Sequence, residues 1–329
     1  MPRVLLSGSS MIDPDAFREE LGGDVDVSVE ALGSERAVID AGEAANDRGE
    51  PFDAIVSDVA TPVSREAIET IDPAVIVRAS VGVGSVDVAA AADRGIPVIR
   101  VPDYCTEEVA LHTVSLFVSC LRSIGTYDRS VGEGRWDWQD GRPVHRLSES
   151  AVGLVSLGPI ARDVATLLAP HGCELLAYDP YVDATEMAAV GVEKAGFEEL
   201  FDRADHVVVL APLTADTRGM VDADVLSRLG PGSVLVNTGR GEVIDESDLV
   251  AALETGDLKM AGLDVLVEEP PGEAHPLVGR DDVVVTPHAA WYSEEAREEL
   301  NRRAARDLRR TLAGDEPDGL VDPDAPWAT

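Results

Sequence analysis

The chain has 329 residues, of which 45% are hydrophobic, so it is long enough for two domains that each bury a core. It carries 62 acidic residues against 27 basic residues, which gives a formal net charge of −35 at pH 7. Such a surface repels nucleic-acid phosphates and anionic lipids. We therefore expect neither a nucleic acid nor a membrane as a partner.

The first hundred residues alternate between apolar strand patterns and helical patterns. Strands are predicted at Arg3–Ser7, Ala54–Ser57, Val75–Val77 and Pro97–Val101, and helices at about 34–46, at about 64–71 and at Val86–Arg94. Strands that alternate with helices predict a parallel, doubly wound sheet.

A break at Pro102–Tyr104 precedes a long, mostly apolar pattern that predicts one helix over Glu107–Ile124. The loop that follows carries Trp136 and Trp138, which we interpret as packing residues or part of a subunit interface. The three cysteines (Cys105, Cys120 and Cys173) have no metal-type spacing, so free thiols in a reducing cytoplasm and no metal site are expected. A soluble, cytoplasmic protein is also expected, because no signal peptide or long apolar run occurs.

The stretch Val152–Pro180 has the layout of a dinucleotide-binding βαβ unit. An apolar strand ends at a glycine turn, a helix follows, and a second strand ends at Asp179. The helix start at Gly158, Pro159 and Ile160 would lie against a pyrophosphate, to which Gly158 and Ile160 would offer backbone N–H groups. Asp179, 21 residues after Gly158, would accept hydrogen bonds from both ribose hydroxyls and repel a 2′-phosphate, which predicts NAD.

The fingerprint departs from G-x-G-x-x-G/A at its first position, where Ser156 replaces glycine. The alternative interpretation of this stretch is an ordinary βαβ unit with a chance glycine.

Four further strands are predicted at His206–Ala211, Ser233–Thr238, Met260–Val265 and Val283–Thr286, with helices at Ala223–Leu229, Glu246–Leu253 and Glu294–Leu312. The predicted fold class is α/β, with two doubly wound parallel-sheet domains. Residues 103–292 would form a Rossmann NAD-binding domain. Residues 1–102 would form a second doubly wound unit, and the helix Glu294–Leu312 could return to pack on it and make that unit discontinuous.

Three polar side chains follow strands of the second domain, at the edge where open α/β sheets bind ligands. Arg240 lies between two glycines and could hold a carboxylate in bidentate fashion, although a surface salt bridge is the alternative. His288 follows a strand end and could transfer a proton, and Glu269 could orient it. Together they predict an anion clamp beside an acid–base pair.

At these motifs the chain resembles the D-isomer-specific 2-hydroxyacid dehydrogenases over nearly its whole length. The shared motifs are the unit at 153–179, Pro212-Leu213-Thr214-x-x-Thr217, Asn237-Thr238-x-Arg240-Gly241, Asp264-Val265, Glu269-Pro270 and Thr286-Pro287-His288. The segments at 101–110 and 288–294 are most similar to the branch with the C-terminal binding proteins, which are NAD(H)-dependent co-repressors.

The resemblance implies roles for individual residues. Arg240 would bind the substrate carboxylate, with His288 and Glu269 as the acid–base pair. Besides the fingerprint residues, the cofactor would contact Thr106, Ala211, Pro212, Thr217, Thr238, Gly239 and Asp264. The substrate would contact Arg78, Val81, Gly82 and Trp291. The resemblance also implies that residues 1–102 and 293–329 form a discontinuous, flavodoxin-like substrate (catalytic) domain, and that a homodimer forms through the NAD domain.

The expected function is therefore NAD-dependent hydride transfer between a small 2-oxo acid and its D-2-hydroxy acid. The alternative is an NAD(H)-sensing binding protein of the co-repressor type with weak or no turnover. A third interpretation is a family member for another acid, such as phosphoglycerate.

The charge generates a prediction about salt. The acidic residues are interspersed with periodic apolar segments, which favours a folded protein adapted to very high salt, where screening removes the self-repulsion. We expect the melting temperature to rise strongly between dilute and molar KCl. A melting temperature indifferent to KCl over that range would contradict the prediction.

Overall fold

The computed structural model describes residues 1–325 and 327, which form two compact units. Unit 1 consists of Met1–Tyr104 and Ser293–Thr329, and unit 2 consists of Cys105–Tyr292. Both contain a parallel sheet between helices, so the predicted α/β fold class is confirmed.

Unit 1 contains a five-stranded parallel sheet. Its strands are β1 (Arg3–Ser7), β2 (Asp26–Glu30), β3 (Ala54–Ser57), β4 (Val75–Arg78) and β5 (Val98–Arg100), and its first four helices are α1 (Pro14–Leu21), α2 (Glu35–Asp47), α3 (Arg65–Ile71) and α4 (Val88–Asp93). The strand order is β2-β1-β3-β4-β5, which is the flavodoxin-like order. The middle strands β3 and β4 are fully buried, because helices cover both faces of the sheet.

Unit 2 contains a seven-stranded parallel sheet. Its strands are β6 (Ala151–Val155), β7 (Glu174–Tyr178), β8 (Glu193–Lys194), β9 (His206–Val209), β10 (Val234–Asn237), β11 (Met260–Leu263) and β12 (Val283–Val285). Its helices are α5 (Thr106–Leu121), α6 (Ile124–Gly132), α7 (Pro159–Leu168), α8 (Ala184–Ala189), α9 (Phe197–Arg203), α10 (Ala223–Leu226) and α11 (Glu246–Thr255).

The strand order of unit 2 is β12-β11-β10-β9-β6-β7-β8. The order reverses between β6 and β9, and ligands bind at the carboxyl ends of strands at such a switch point. The turn after β6 carries the predicted fingerprint, so the fold places it where a dinucleotide would lie.

The predicted helix over Glu107–Ile124 is confirmed as α5 (Thr106–Leu121), except that it ends three residues earlier than predicted. Ser123 adopts a left-handed conformation, with a φ of 53°, and its hydroxyl donates to the carbonyl of Gly141 at 2.9 Å. This conformation ends α5 and turns the chain by 59° into α6. No glycine or proline marks the break, so the apolar pattern gave no sign of it.

The last helix, α12 (Glu294–Leu312), returns to unit 1 and packs on α1. Ser293 caps its start by accepting the amide of Ala296 at 2.9 Å. Two glutamates lie in its first turn and two arginines in its last turn, which complements the helix dipole. The chain then pairs along β5, where Leu320 forms an antiparallel bridge with Ile99.

Within residues 1–325 and 327, no single helix is long and apolar enough to cross a membrane, although α5 and α6 reach that length and composition together as a bent pair. In the same residues, no group of three or more histidine, cysteine or acidic side chains is arranged to hold a metal ion.

Candidate active site

The turn after β6 leaves the start of α7 open. Gly158 is the N-cap of this ten-residue helix, and no side chain caps it. A Cβ atom built on Gly158 would meet nothing within 4 Å, so a ligand could approach the backbone closely. Pro159 has no N–H to offer, which leaves the amides of Ile160 and Ala161 for an anion. This arrangement fits a pyrophosphate.

Ser156 adopts a left-handed conformation in this turn, with a φ of 87°. This region strongly favours glycine, because a Cβ atom is strained there. The fingerprint therefore has a glycine at this position because the backbone of the turn requires a positive φ. Ser156 adopts the same turn, but at a cost in conformational free energy.

Asp179 lies directly after β7 and is 8% exposed. One carboxylate oxygen accepts the Leu157 amide at 2.9 Å, and the other accepts the Tyr181 amide at 2.9 Å. The Ser156 hydroxyl donates to the first oxygen at 3.4 Å. Asp179 therefore ties the end of β7 to the fingerprint turn, a structural role that the sequence did not predict.

The loop after β10 passes through a narrow space that only glycine allows. A Cβ atom on Gly239 would lie 2.9 Å from the carbonyl oxygen of Ala211, which follows β9. A Cβ atom on Gly241 would overlap the carbonyl group of Leu266 and lie 2.5 Å from the nitrogen of Val267, both after β11. Arg240 is therefore held between the ends of the two neighbouring strands.

Asn237 shapes the same loop from the end of β10. Its side-chain oxygen accepts the Gly239 amide at 3.0 Å, and its side-chain nitrogen donates to the Arg240 carbonyl at 2.9 Å. Its backbone carbonyl accepts the Asp264 amide at 2.9 Å. Asn237 thus sets the course of the backbone around Arg240, whose side chain is half-buried.

Asp264, directly after β11, organises the turn after β12. The residue is 2% exposed, and its side chain accepts the Thr286 hydroxyl at 2.6 Å, the Ala289 amide at 2.9 Å and the Ala290 amide at 3.0 Å. Its backbone carbonyl accepts the His288 amide at 2.8 Å. These bonds hold His288 at a φ of 51°, a left-handed conformation that persists only where the surroundings enforce it.

His288 and Glu269 form a hydrogen-bonded pair, with 2.7 Å between the histidine Nδ1 and Oε2 of Glu269. The Leu266 amide donates to Oε1 of Glu269 at 2.9 Å. Burial raises the pKa of Glu269, but the bond and charge of His288, the Leu266 amide and the charge of Arg240 outweigh it and hold the pKa below its usual value.

The ionised Glu269 fixes the tautomer of its partner. A carboxylate can only accept, so Nδ1 of His288 carries the proton of this bond. Nε2 is then the ring atom that can take up or release a proton to a ligand.

The other predicted cofactor residues of unit 2 lie mostly on the loops after β9 and β10. Thr217 closes the first loop by donating to the carbonyl of Pro212 at 2.6 Å. Thr238 bonds Thr113 of α5 through their hydroxyls at 2.7 Å. Thr106 is the first residue of α5 and is half-buried.

The predicted substrate residues are divided between the units. Arg78 is the last residue of β4 in unit 1, and Val81 and Gly82 lie on the loop that follows it. Nε of Arg78 donates to the Ser85 hydroxyl at 2.8 Å. The Arg100 guanidinium donates to the Val81 carbonyl at 3.2 Å. Trp291 belongs to unit 2 and is half-buried, with its ring centroid 5.5 Å from that of Tyr292.

Sequence reasoning missed three residues that shape this site, namely Asn237, Thr286 and His112. Asn237 and Thr286 occur within the quoted motifs, so their position beside Arg240 and His288 was a usable signal. His112 is a polar residue in the mostly apolar α5, and only the structure shows that it reaches Thr286.

An open helix terminus at the switch point, with a histidine–glutamate pair and an arginine on three adjacent strand ends, is the arrangement of a dinucleotide-dependent dehydrogenase. The family model described as "D-isomer specific 2-hydroxyacid dehydrogenase, NAD binding domain" matches residues 114–290, more than half of the chain. The chain belongs to the D-isomer specific 2-hydroxyacid dehydrogenase family, and its cofactor is NAD.

Relatives of known name and structure agree with this assignment. The chain is 35% identical over 284 residues to a D-3-phosphoglycerate dehydrogenase of Mycobacterium leprae, covering 84% of this chain and 53% of the relative. It is 33% identical to that of Methanocaldococcus jannaschii, covering 82% and 51%. The chain thus spans about half the length of these relatives. A crystal structure of a Thermus thermophilus protein superimposes with a TM-score of 0.86 at 27% identity, covering 97% of this chain and all of that one.

The conformation of Ser156 generates a prediction. Ser156→Gly should raise the free energy of unfolding by about 1 kcal/mol, because glycine adopts a φ of 87° without strain. Denaturant unfolding in molar KCl measures this change. Ser156→Ala is the matched control, since it keeps the Cβ atom and should bring no gain. A Gly variant no more stable than the Ala variant would contradict the account.

Proposed function

We propose that the protein is an NAD-dependent dehydrogenase that interconverts a 2-oxo acid and its D-2-hydroxy acid. The observation that carries the proposal is the 2.7 Å bond between His288 and Glu269 beside the Arg240 loop. This pair supplies an acid–base group, and the arginine supplies a planar cation that matches a carboxylate. Membership of the family supports the same reaction class.

Each of these residues has a distinct task in the proposed reaction. NADH, when bound, supplies the hydride that goes to C2 of the 2-oxo acid. Nε2 of His288 donates the proton to the carbonyl oxygen, while Glu269 at Nδ1 stabilises the charged ring. Arg240 pairs with the substrate carboxylate and stabilises charge on the oxygen. In the reverse direction His288 accepts the proton.

The substrate class follows from chemistry shared with the relatives. D-3-Phosphoglycerate, the acid in their names, is itself a D-2-hydroxy acid, so their reaction falls within the proposed class. The half-buried indole of Trp291 favours a small apolar side chain on the substrate of this chain. The family resemblance assigns Arg78, at the end of β4, and the loop residues Val81 and Gly82 to substrate binding, and we therefore propose unit 1 as the substrate domain.

A substrate screen at molar KCl tests the proposal. NADH oxidation would be followed with glyoxylate, pyruvate, hydroxypyruvate, phosphohydroxypyruvate and longer 2-oxo acids. Turnover of one of them supports the dehydrogenase, and the preferred acid identifies the side chain. Tight NADH binding without turnover of any of them would instead support the alternative, an NAD(H)-sensing binding protein.

His288→Ala should lower kcat by about 10²- to 10⁴-fold, because the variant has no group to transfer the proton. The dissociation constant of NADH, measured by fluorescence titration, should change little. His171→Ala, which alters an exposed histidine of the same unit, is the matched control. Unchanged turnover in His288→Ala would refute its role.

Arg240→Lys should also lower turnover, since the point charge of a lysine cannot replace the planar guanidinium fork of arginine.

Two further proposals concern the context of the enzyme. Trp136 and Trp138 are 91% and 70% exposed in the single chain, which supports the homodimer that the family resemblance implies. Light scattering at molar KCl would report the mass, and a monomer at assay concentrations would contradict the dimer.

We also propose a cytoplasmic location, which cell fractionation would test.

A further inference from the structure

His112 is a half-buried residue of α5 that the proposed reaction does not use. Its Nε2 lies 3.0 Å from the Thr286 hydroxyl and 3.5 Å from Oδ1 of Asp264. Its side chain is 27% exposed, whereas that of Asp264 is almost fully buried. His112 thus connects the core helix α5 to the turn that carries His288.

The hydrogen bonds between these three residues have a single direction. Thr286 donates its only hydroxyl proton to Oδ1 of Asp264 at 2.6 Å. The hydroxyl oxygen can then only accept from His112, so Nε2 of His112 carries a proton. The chain of donors runs from His112 through Thr286 to Asp264.

Asp264 is the group that holds the His288 turn in its left-handed conformation. Its carboxylate accepts the amides of Ala289 and Ala290, and its carbonyl accepts the amide of His288. Rotation of this carboxylate would release two of the three bonds at once. Thr286 restrains that rotation on one side, and His112 fixes the rotamer of Thr286.

We propose that His112 is a positioning residue for His288, acting through Thr286 and Asp264. The proposal rests on the proposed dehydrogenase function only in its consequence for turnover. Its structural part, the restraint of residues 286–290, stands on the hydrogen bonds alone. The consequence for turnover follows because a displacement of about 1 Å at a reacting group can cost about 10²-fold in rate.

Backbone hydrogen exchange, read by NMR, tests the structural part without any turnover. His112→Leu has a similar volume but no donor, and we expect the amides of Ala289 and Ala290 to exchange about tenfold faster. His112→Gln, whose amide nitrogen can donate to Thr286, should restore protection. Leu111→Gln is the matched control, because Leu111 is 56% exposed on the neighbouring position of α5.

Steady-state kinetics tests the consequence for the reaction. In His112→Leu we expect kcat to fall about tenfold, with a less than twofold change in the KM for NADH, and His112→Gln should recover most of the loss. If the residues act in series, adding Thr286→Val to His112→Leu should lower kcat little further.

Two results would overturn the inference. One is unchanged exchange of Ala289 and Ala290 in His112→Leu, with Thr286→Val as a second variant should His112→Leu fail to fold. The other is faster exchange with an unchanged kcat, which would limit His112 to a structural role. Absence of turnover in the unmodified protein would refute the proposed dehydrogenase instead, and the exchange data would still decide whether His112 restrains the turn.

Discussion

The close approach of three strand ends in unit 2 is the constraint on which the candidate site depends. The loop after β10 runs between the backbone that follows β9 and the backbone that follows β11, with Gly239 facing one and Gly241 the other. Neither position has room for a Cβ atom. The close packing therefore fixes the backbone path of the loop and the position of the Arg240 Cα atom. The arginine is placed by backbone packing, which is more rigid than side-chain contacts on a flexible loop.

Hydrogen bonds connect this loop to the histidine turn. Asn237 joins the β10 loop to Asp264, and Asp264 joins β11 to the turn after β12. The strained backbone of His288 is held by these bonds, and Glu269 fixes which ring nitrogen carries the internal proton. Arg240 lowers the pKa of Glu269 through its charge, so the proposed anion clamp and the proposed acid–base pair are electrostatically coupled.

Periodicity and residue type predicted much of this arrangement. The helix Glu294–Leu312 was predicted at its observed bounds, because its cap, terminal charges and apolar stripe agree. The edge strands β2 and β8 were not predicted, since their residues are partly or fully exposed and lack an apolar run. The break at Ser123 and the reach of His112 depend on contacts between residues far apart in sequence, which no local pattern encodes. The sequence shows that Ser156 replaces a glycine, but it does not reveal the left-handed conformation, because a serine rarely adopts a positive φ.

The activity of Gly241→Ala, compared with that of Gly230→Ala, tests the central claim most directly. A methyl group at 241 would overlap the Leu266 carbonyl, whereas one at the exposed Gly230 would meet nothing within 4 Å. The account predicts that Gly241→Ala lowers kcat/KM for the 2-oxo acid at least tenfold, because Arg240 and Glu269 are displaced together. Gly230→Ala should keep normal activity. Equal activity of the two variants would contradict the claim that backbone packing at the strand ends positions the site.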